Sequence, residues 1–251
     1  KFNIADYSGI ELVILAANSG DKKLMEQILK GDIHTFVTRI VLGYKEITQE
    51  NKKKEPHVLW RDGSKTMSYG IAYGTTGRNI AETLNIMLAS VGFKIDAAQG
   101  DELIAKWFQE FPDTYEYLQK NANKAVRDGF VVDSWGRRRN WNRDTFINKW
   151  KRLAAMREGQ NAPIQGSSAS MTKRAIWLLW ERLDKKKARI VLTVHDEIVV
   201  EAIDSYVDTA AAITKECMEQ AIRETLPSVA DQVGLYEGTS VSPKVSIRYD
   251  K

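Results

Sequence analysis

The stretch "TVHDEIVVE", Thr193–Glu201, sets a histidine and two acids in the middle of an apolar run. Ile190, Val191, Leu192 and Val194 precede the polar triplet, and Ile198, Val199 and Val200 follow it. Such residues favour a buried strand. Asp and Glu are almost never fully buried unless paired. Two short strands with a bend near His195 satisfy both facts, because the bend carries Asp196 and Glu197 to a strand end. A strand also needs a sheet, and its other members must come from elsewhere in the chain.

Residues 2–8, "FNIADYS", read as one such strand, with Phe2, Ile4 and Asp6 on the same side. Ser8 and Glu11 have capping-box spacing ahead of "LVILAA", so Asp6 is expected at a strand's carboxyl end, just before a helix. From 21 to 130 the pattern is mostly helical, with breaks expected at Gly31, Gly43, Gly77, Gly92, Gly100, Pro112 and Gly129. "KKKEP" at 52–56 reads as an exposed loop. "FVVDSWGRRRNW" reads as strand and turn. Helices are predicted over 149–161 and 164–183, separated by Pro163, and over 205–225. "SPKVSIRY" closes the chain as a strand with Val245 and Ile247 on one face. A small sheet carrying a long helical insertion is an α+β arrangement.

The totals narrow the function classes. At 251 residues the chain holds one large domain or two lobes. With 43% apolar and 28% charged residues it is globular rather than disordered. The net charge of +4 suits nucleic acid without demanding it. Basic clusters at Lys52–Lys54, Arg137–Arg139 and Lys185–Lys187 fit solvated loops as well as phosphate contacts. One cysteine, Cys217, excludes a disulfide framework and leaves little room for a zinc site, so a reducing compartment is expected. No apolar run reaches the roughly 20 residues needed to span a bilayer, and no secretory signal opens the chain. It starts at Lys1 with strand-like residues already present, so a longer parent is expected.

Three constellations carry chemistry. Asp6 and Asp196 each end an apolar strand; in a shared sheet their carboxylates converge and need protons, cations or basic partners. Magnesium suits hard carboxylate oxygens and also takes substrate phosphates. Capping or ion pairing remains open for these acids on the residues alone. In "RDGSKTMSYGIAYG", residues 61–74, Arg61, Lys65, Tyr69 and Tyr73 recur every four positions. One helical face thus carries two cations, suited to a triphosphate, and two rings, suited to a base or sugar. An amphipathic helix with buried tyrosines is the alternative. Gly63, Gly70 and Gly74 weaken such a helix, which suggests close backbone approach. In "REGQNAPIQG", Arg157, Asn161 and Gln165 again recur every four residues. They suit minor-groove acceptors, whose pattern is nearly independent of sequence; a structural amide network is the competing reading.

Together these segments resemble the family A DNA polymerases, the bacterial DNA polymerase I type, with phage-like leanings. "DYSGIEL" resembles motif A, "RDGSKTMSYGIAYG" motif B and "VHDE" motif C, while "GDIHTFVTRIVLG" and "NAPIQG" are similar to two further segments. Five segments in the right order span almost the whole chain. The resemblance implies a right-hand polymerase: palm over 1–20, fingers over 21–132 and palm again over 133–251, without thumb or exonuclease domain. It implies DNA synthesis from a primer 3′-hydroxyl and deoxynucleoside triphosphates, with pyrophosphate released. Asp6, the Tyr7 carbonyl and Asp196 would hold two magnesium ions, with manganese as a substitute, and Glu197 would support them. His34, Arg61 and Lys65 would hold the triphosphate, with Lys65 as general acid. Tyr69 would pack on the incoming nucleotide and Tyr73 beside the templating pair. Glu11 would be the steric gate against a ribose 2′-hydroxyl, hydrogen-bonded to Tyr73. Arg157, Asn161, Gln165 and His195 would face primer-template DNA.

Departures from the family pattern matter. Gly9 replaces the usual glutamine of motif A, and Val13 the arginine that often follows the IEL triplet. Tyr69 stands where many bacterial members have phenylalanine, and in the family tyrosine goes with acceptance of dideoxynucleotides. A thumb- and exonuclease-bearing segment, in the same chain or as a separate subunit, is an expected partner, and a membrane is not. The expected setting is a bacterial or phage-infected cytoplasm. A single-subunit RNA polymerase is a rival that Glu11 argues against. A non-catalytic derivative would be expected to have lost the carboxylate pair. A two-metal nuclease would not need the Arg61–Tyr73 face.

Overall fold

The computed structural model describes residues 1–7, 9–30, 32–236 and 239–249. The expected cap at Ser8 and break at Gly31 lie outside them. The elements run β1 (Phe2–Ala5), α1 (Ile10–Ser19), α2 (Lys22–Lys30), α3 (Ile33–Ile40), α4 (His57–Ala72), α5 (Gly77–Met87), α6 (Ala97–Glu110) and α7 (Pro112–Asp128). There follow β2 (Phe130–Val132), β3 (Arg138–Asn140), α8 (Lys149–Arg182), β4 (Ala188–Val194), β5 (Glu197–Ala202), α9 (Val207–Thr225) and β6 (Lys244–Ser246). The sheet is antiparallel, in the order β4-β5-β1-β6, and β2 and β3 form a separate ribbon. The fold is α+β.

The chain divides into two compact units. The first comprises 1–17, 132–137 and 163–251; the second comprises 18–131 and 138–162. Residues 138–162 group with the helical insertion in this division. Pro163 does not split the helix: α8 runs unbroken through it, and the change of unit falls there. Proline removes one hydrogen bond but leaves the rest of the ladder intact. The side chain of Ser167 caps the Pro163 carbonyl at 2.7 Å.

In the first unit the buried face of β1 is Asn3 and Ala5, while Phe2 and Ile4 are only half-buried. That reverses the apolar reading of this strand. The amide nitrogen of Asn3 is paired there: Nδ2 donates to Thr214 Oγ1 at 2.8 Å and to the Ala210 carbonyl at 3.5 Å, both on α9, while Oδ1 has no partner among the described residues. Those two donor bonds offset part of the cost of burying the amide. Tyr7 is buried on the same side and donates its hydroxyl to the Met218 carbonyl at 3.1 Å. Leu12 to Ala16 of α1 and Cys217, Met218 and Ala221 of α9 complete this core. β4 is an edge strand with Val191 and Leu192 exposed, and Val245 and Ile247 near β6 are exposed too.

In the second unit Trp107, Phe111, Leu118, Met67, Leu84 and Leu88 are fully buried, with Trp107 set edge-on to Phe111. The helix signals are local: Thr76 caps α5, Asp96 and Gln99 form a capping box on α6, and Pro112 opens α7. Asp21 caps α2 through the Leu24 amide and also accepts from Thr114 at the start of α7. Gly77, expected as a break, opens α5 after the gap that follows α4, whereas Gly100, also expected as a break, sits inside α6. A Cβ on Gly100 would lie 2.1 Å from the Gly77 carbonyl oxygen, so the two helices touch backbone to backbone there.

Candidate functional site

The register of the first unit builds the carboxylate pair. Val194 pairs with Glu197, which leaves His195 and Asp196 as a two-residue hairpin loop. Such loops want a positive φ at the first central position. His195 supplies it, at φ 56°, although a non-glycine residue pays roughly 1–2 kcal/mol for that conformation. β1 pairs with β5 through Ala5 and Ile198, so one further step sets Asp6 beside Glu197 and the loop.

Asp6 and Asp196 come within hydrogen-bond reach of one another. Partial loss of hydration, then the charges of Asp196 and Glu197, push the Asp6 carboxyl up to about 6. Asp6 still faces solvent, so the neighbouring charges are the cause a cation would relieve. Asp196 is also raised, first by burial; Glu11 adds to the rise and His195 opposes it. Glu197 is held by Tyr249, whose hydroxyl donates at 2.8 Å. The first unit thus gathers Asp6, Tyr7, Glu11, His195, Asp196 and Glu197. Among the described residues no three His, Cys, Asp or Glu side chains form a ready metal cage. A pair of carboxylates is nevertheless what magnesium uses when substrate phosphates complete its shell.

The second unit gathers the other set. Arg61, Lys65 and Tyr69 lie on α4, and Tyr73 caps its carboxyl end. The His34 and Tyr69 rings are 6.1 Å apart, centre to centre. Gly74 has φ +71°, and a Cβ there would meet Gln160 Oε1 at 2.6 Å and Arg157 Cγ at 3.2 Å. Close approach at the end of α4 is therefore real, and the side chains of Gln160 and Arg157 are what approach. Gly63 and Gly70 meet only side chains, of Leu84, Leu88, Thr75 and Ile80. Asn161 is half-buried, and its Oδ1 has no partner among the described residues. Gln165 is exposed four residues further along α8, on the part that belongs to the first unit.

Two residues of this second site escaped the sequence. Asp32 caps α3 by accepting from the His34 amide at 3.1 Å and from the Thr35 hydroxyl at 3.0 Å. It also accepts from Arg61, Nε at 2.6 Å and Nη2 at 3.2 Å, and pairs with Lys52 at 3.1 Å. Burial alone would raise the Asp32 carboxyl, but Arg61 and Lys52 outweigh it and hold the group well below the usual carboxylate range. Lys52 is thus not part of an open loop, although Lys53 to Pro56 are exposed. Burial pushes the His34 imidazole down to about 4; Asp32 works the other way, and Arg61, Lys65 and Lys52 deepen the depression. Asp32 carried a readable cap signal, an acid just before a helix. Its pairing with cations 20 and 29 positions away carried none.

Residues 1–241 match the family model described as "DNA polymerase family A". The chain belongs to that family. The family A relatives include the thermostable DNA polymerase I of Thermus aquaticus, 32% identical over 233 residues, covering 92% of this chain and 26% of the relative. DNA polymerase I of Geobacillus stearothermophilus is 33% identical over 230 residues, covering 90% and 24%. The chain therefore spans about a quarter of the length of these relatives. Among solved structures, the POL domain of Pol1 from M. smegmatis, in complex with DNA primer-template and dNTP, is similar with a TM-score of 0.77 and 28% identity. That similarity covers 96% of this chain and 38% of the other. The RNA polymerase and non-catalytic alternatives are not favoured by this membership.

Proposed function

We propose that this chain is the palm and fingers of a DNA-directed DNA polymerase, the first unit serving as palm and the second as fingers. It extends a primer 3′-hydroxyl with deoxynucleoside triphosphates on a DNA template. The observation that carries the proposal is the convergence of Asp6 and Asp196 at neighbouring strand ends, with Glu197 and Glu11 deepening the negative potential. That donor set, all hard oxygen, fits magnesium, with manganese as a substitute. Asp6, Asp196 and the Tyr7 carbonyl would hold the ions, two in number. When bound, they neutralise phosphate charge and polarise the reacting oxygens.

The chain's own residues do the rest. Arg61, Lys65 and His34 grip the triphosphate, and Tyr69 packs on the nucleotide and accepts a dideoxy sugar. Glu11 crowds the sugar 2′ position and selects against ribose. The primer 3′-hydroxyl gives up its proton to solvent as its oxygen forms a bond to the α-phosphorus and the bond to pyrophosphate breaks; the Lys65 ammonium gives a proton to the departing pyrophosphate and regains one from solvent. General acid help of this kind is worth about 10²–10⁴-fold. Tyr73, Arg157, Asn161, Gln165 and His195 face the template pair and primer-template duplex. Glu197, tied to Tyr249, supports Asp196 rather than acting as a principal ligand. A thumb- and exonuclease-bearing segment or subunit completes the grip on DNA. The setting is a bacterial or phage-infected cytoplasm; no helix among the described residues is long and apolar enough to cross a membrane.

Primer extension with single-turnover sampling tests this. Asp196→Ala abolishes synthesis, and Glu197→Ala slows it less. Intact template-directed synthesis by Asp196→Ala would sink the proposal.

A further inference from the structure

The cation set beside His34 is larger than motif B explains. Arg61 and Lys52 converge on one carboxylate oxygen, Asp32 Oδ2, at 2.6 Å and 3.1 Å. That carboxylate is already saturated. Two of its donors come from Arg61, one from Lys52, and two from the head of α3. A carboxylate offers about four lone-pair sites, so Asp32 works as an anchor that orients both cations. Arg61 has five N–H donors and gives Asp32 two; the Lys52 ammonium has three and gives it one. Lys65 stands one helical turn from Arg61. Arg61, Lys52 and Lys65 all act on His34, and only the first two are paired to Asp32, so the set carries an excess of positive charge that a polyanion would balance.

A second observation points the same way. His34 is 92% buried by its 8% exposure, and its Nδ1 has no hydrogen-bond partner among the described residues. Buried polar atoms are nearly always paired, so an orphan in a cationic site marks a place where another group completes the bonding. The Lys52 side chain is itself only 18% exposed, in a loop whose next four residues are open to solvent. Its chain has been brought in.

We propose that Lys52 is a further triphosphate-binding residue, held by Asp32 beside Arg61 so that its ammonium contacts a phosphate of the incoming nucleotide. The inference rests on the proposed nucleotide role of Arg61. Lys52 presents remaining donors to a phosphate oxygen while Asp32 fixes its direction, and the loop at 51–56 becomes part of nucleotide selection rather than a surface connection.

Titration calorimetry of the whole chain with magnesium dATP, and separately with inorganic tripolyphosphate, tests this against Arg61→Ala as control. Lys52→Ala and Lys52→Met weaken both ligands about tenfold, the scale of one charge-assisted hydrogen bond. Lys52→Arg restores most of the loss, and the melting temperature of all three stays near that of the parent. If Arg61→Ala weakens binding and the Lys52 variants do not, the Lys52 assignment is overturned and the nucleotide site stands. Weakened binding that tracks a lowered melting temperature and is not rescued by Lys52→Arg means a structural role, and also overturns it. If the parent binds neither ligand, or Arg61→Ala changes nothing, the nucleotide site fails and takes Lys52 with it.

Discussion

His34 shows how much one residue's surroundings can decide. Its neutral imidazole is kept that way by burial and by Arg61, Lys65 and Lys52, which hold it at about 4 against 6.5 for an ordinary histidine. Between those values the unfolded chain binds a proton that the folded chain refuses. Stability therefore rises with pH across that window, is fully present above about pH 6.5, and is lost as pH falls toward 4. The contribution is about 3 kcal/mol at most, taking about 1.4 kcal/mol per unit. Denaturant melts at pH 7.5, 6 and 4.5 should show it, and His34→Gln should flatten the slope in that window. A slope unchanged by the substitution would mean that His34 takes up its proton equally well in the folded and unfolded chain. The same residue scale explains what the sequence withheld. Asp6, Asp196, Arg61 and Lys65 were legible because their motifs are local. Asp32, Lys52 and Tyr249 were not, since each acts through a partner at least 20 positions away.

At the scale of elements, local rules placed most helices correctly and failed where two backbones meet. Glycine breaks a helix by propensity, at about 1 kcal/mol against alanine. Gly100 nevertheless sits inside α6, because only a residue without Cβ lets α6 approach the Gly77 carbonyl. Alanine at 100 would regain that propensity, yet its methyl would need the space now held by the carbonyl. Overpacking costs about 1–3 kcal/mol, and here it falls on backbone that cannot swing aside. Gly100→Ala should therefore lower stability by about 2 kcal/mol in urea melts; a stabilised variant would show that α5 and α6 separate easily. Pro163 and Asn3 teach the complementary lesson. The proline lies within a 34-residue helix, and the asparagine faces the core, each against its ordinary preference. Asn3 donates its amide to Thr214 on α9, and Pro163 costs α8 a single ladder bond, at the Gly159 carbonyl, while the rest of the helix stands; neither is written in the pattern of apolar residues.

For the molecule as a whole, the chain passes four times between two units that each own a core. Each core is closed by its own contacts, the first by α9 on β1 and the second by Trp107 and the α5–α6 crossing. Chains of this kind unfold in more than one step. Calorimetry should resolve two transitions. Gly100→Ala should shift one of them, and Asn3→Ala, which strands a buried site on Thr214, should shift the other. Hydrogen exchange assigns each to its residues, and a single transition displaced alike by both variants would mean that the units fold as one. The one cysteine, Cys217, is sealed in the core of the first unit. A native thiol hidden from reagents leaves the surface blank for chemistry. A cysteine placed at Ile86, 79% exposed on α5, would take a maleimide dye at that position alone, without first stripping the parent sequence. The protein thus comes prepared for optical labelling of its second unit, with its own sulfur acting as a silent bystander.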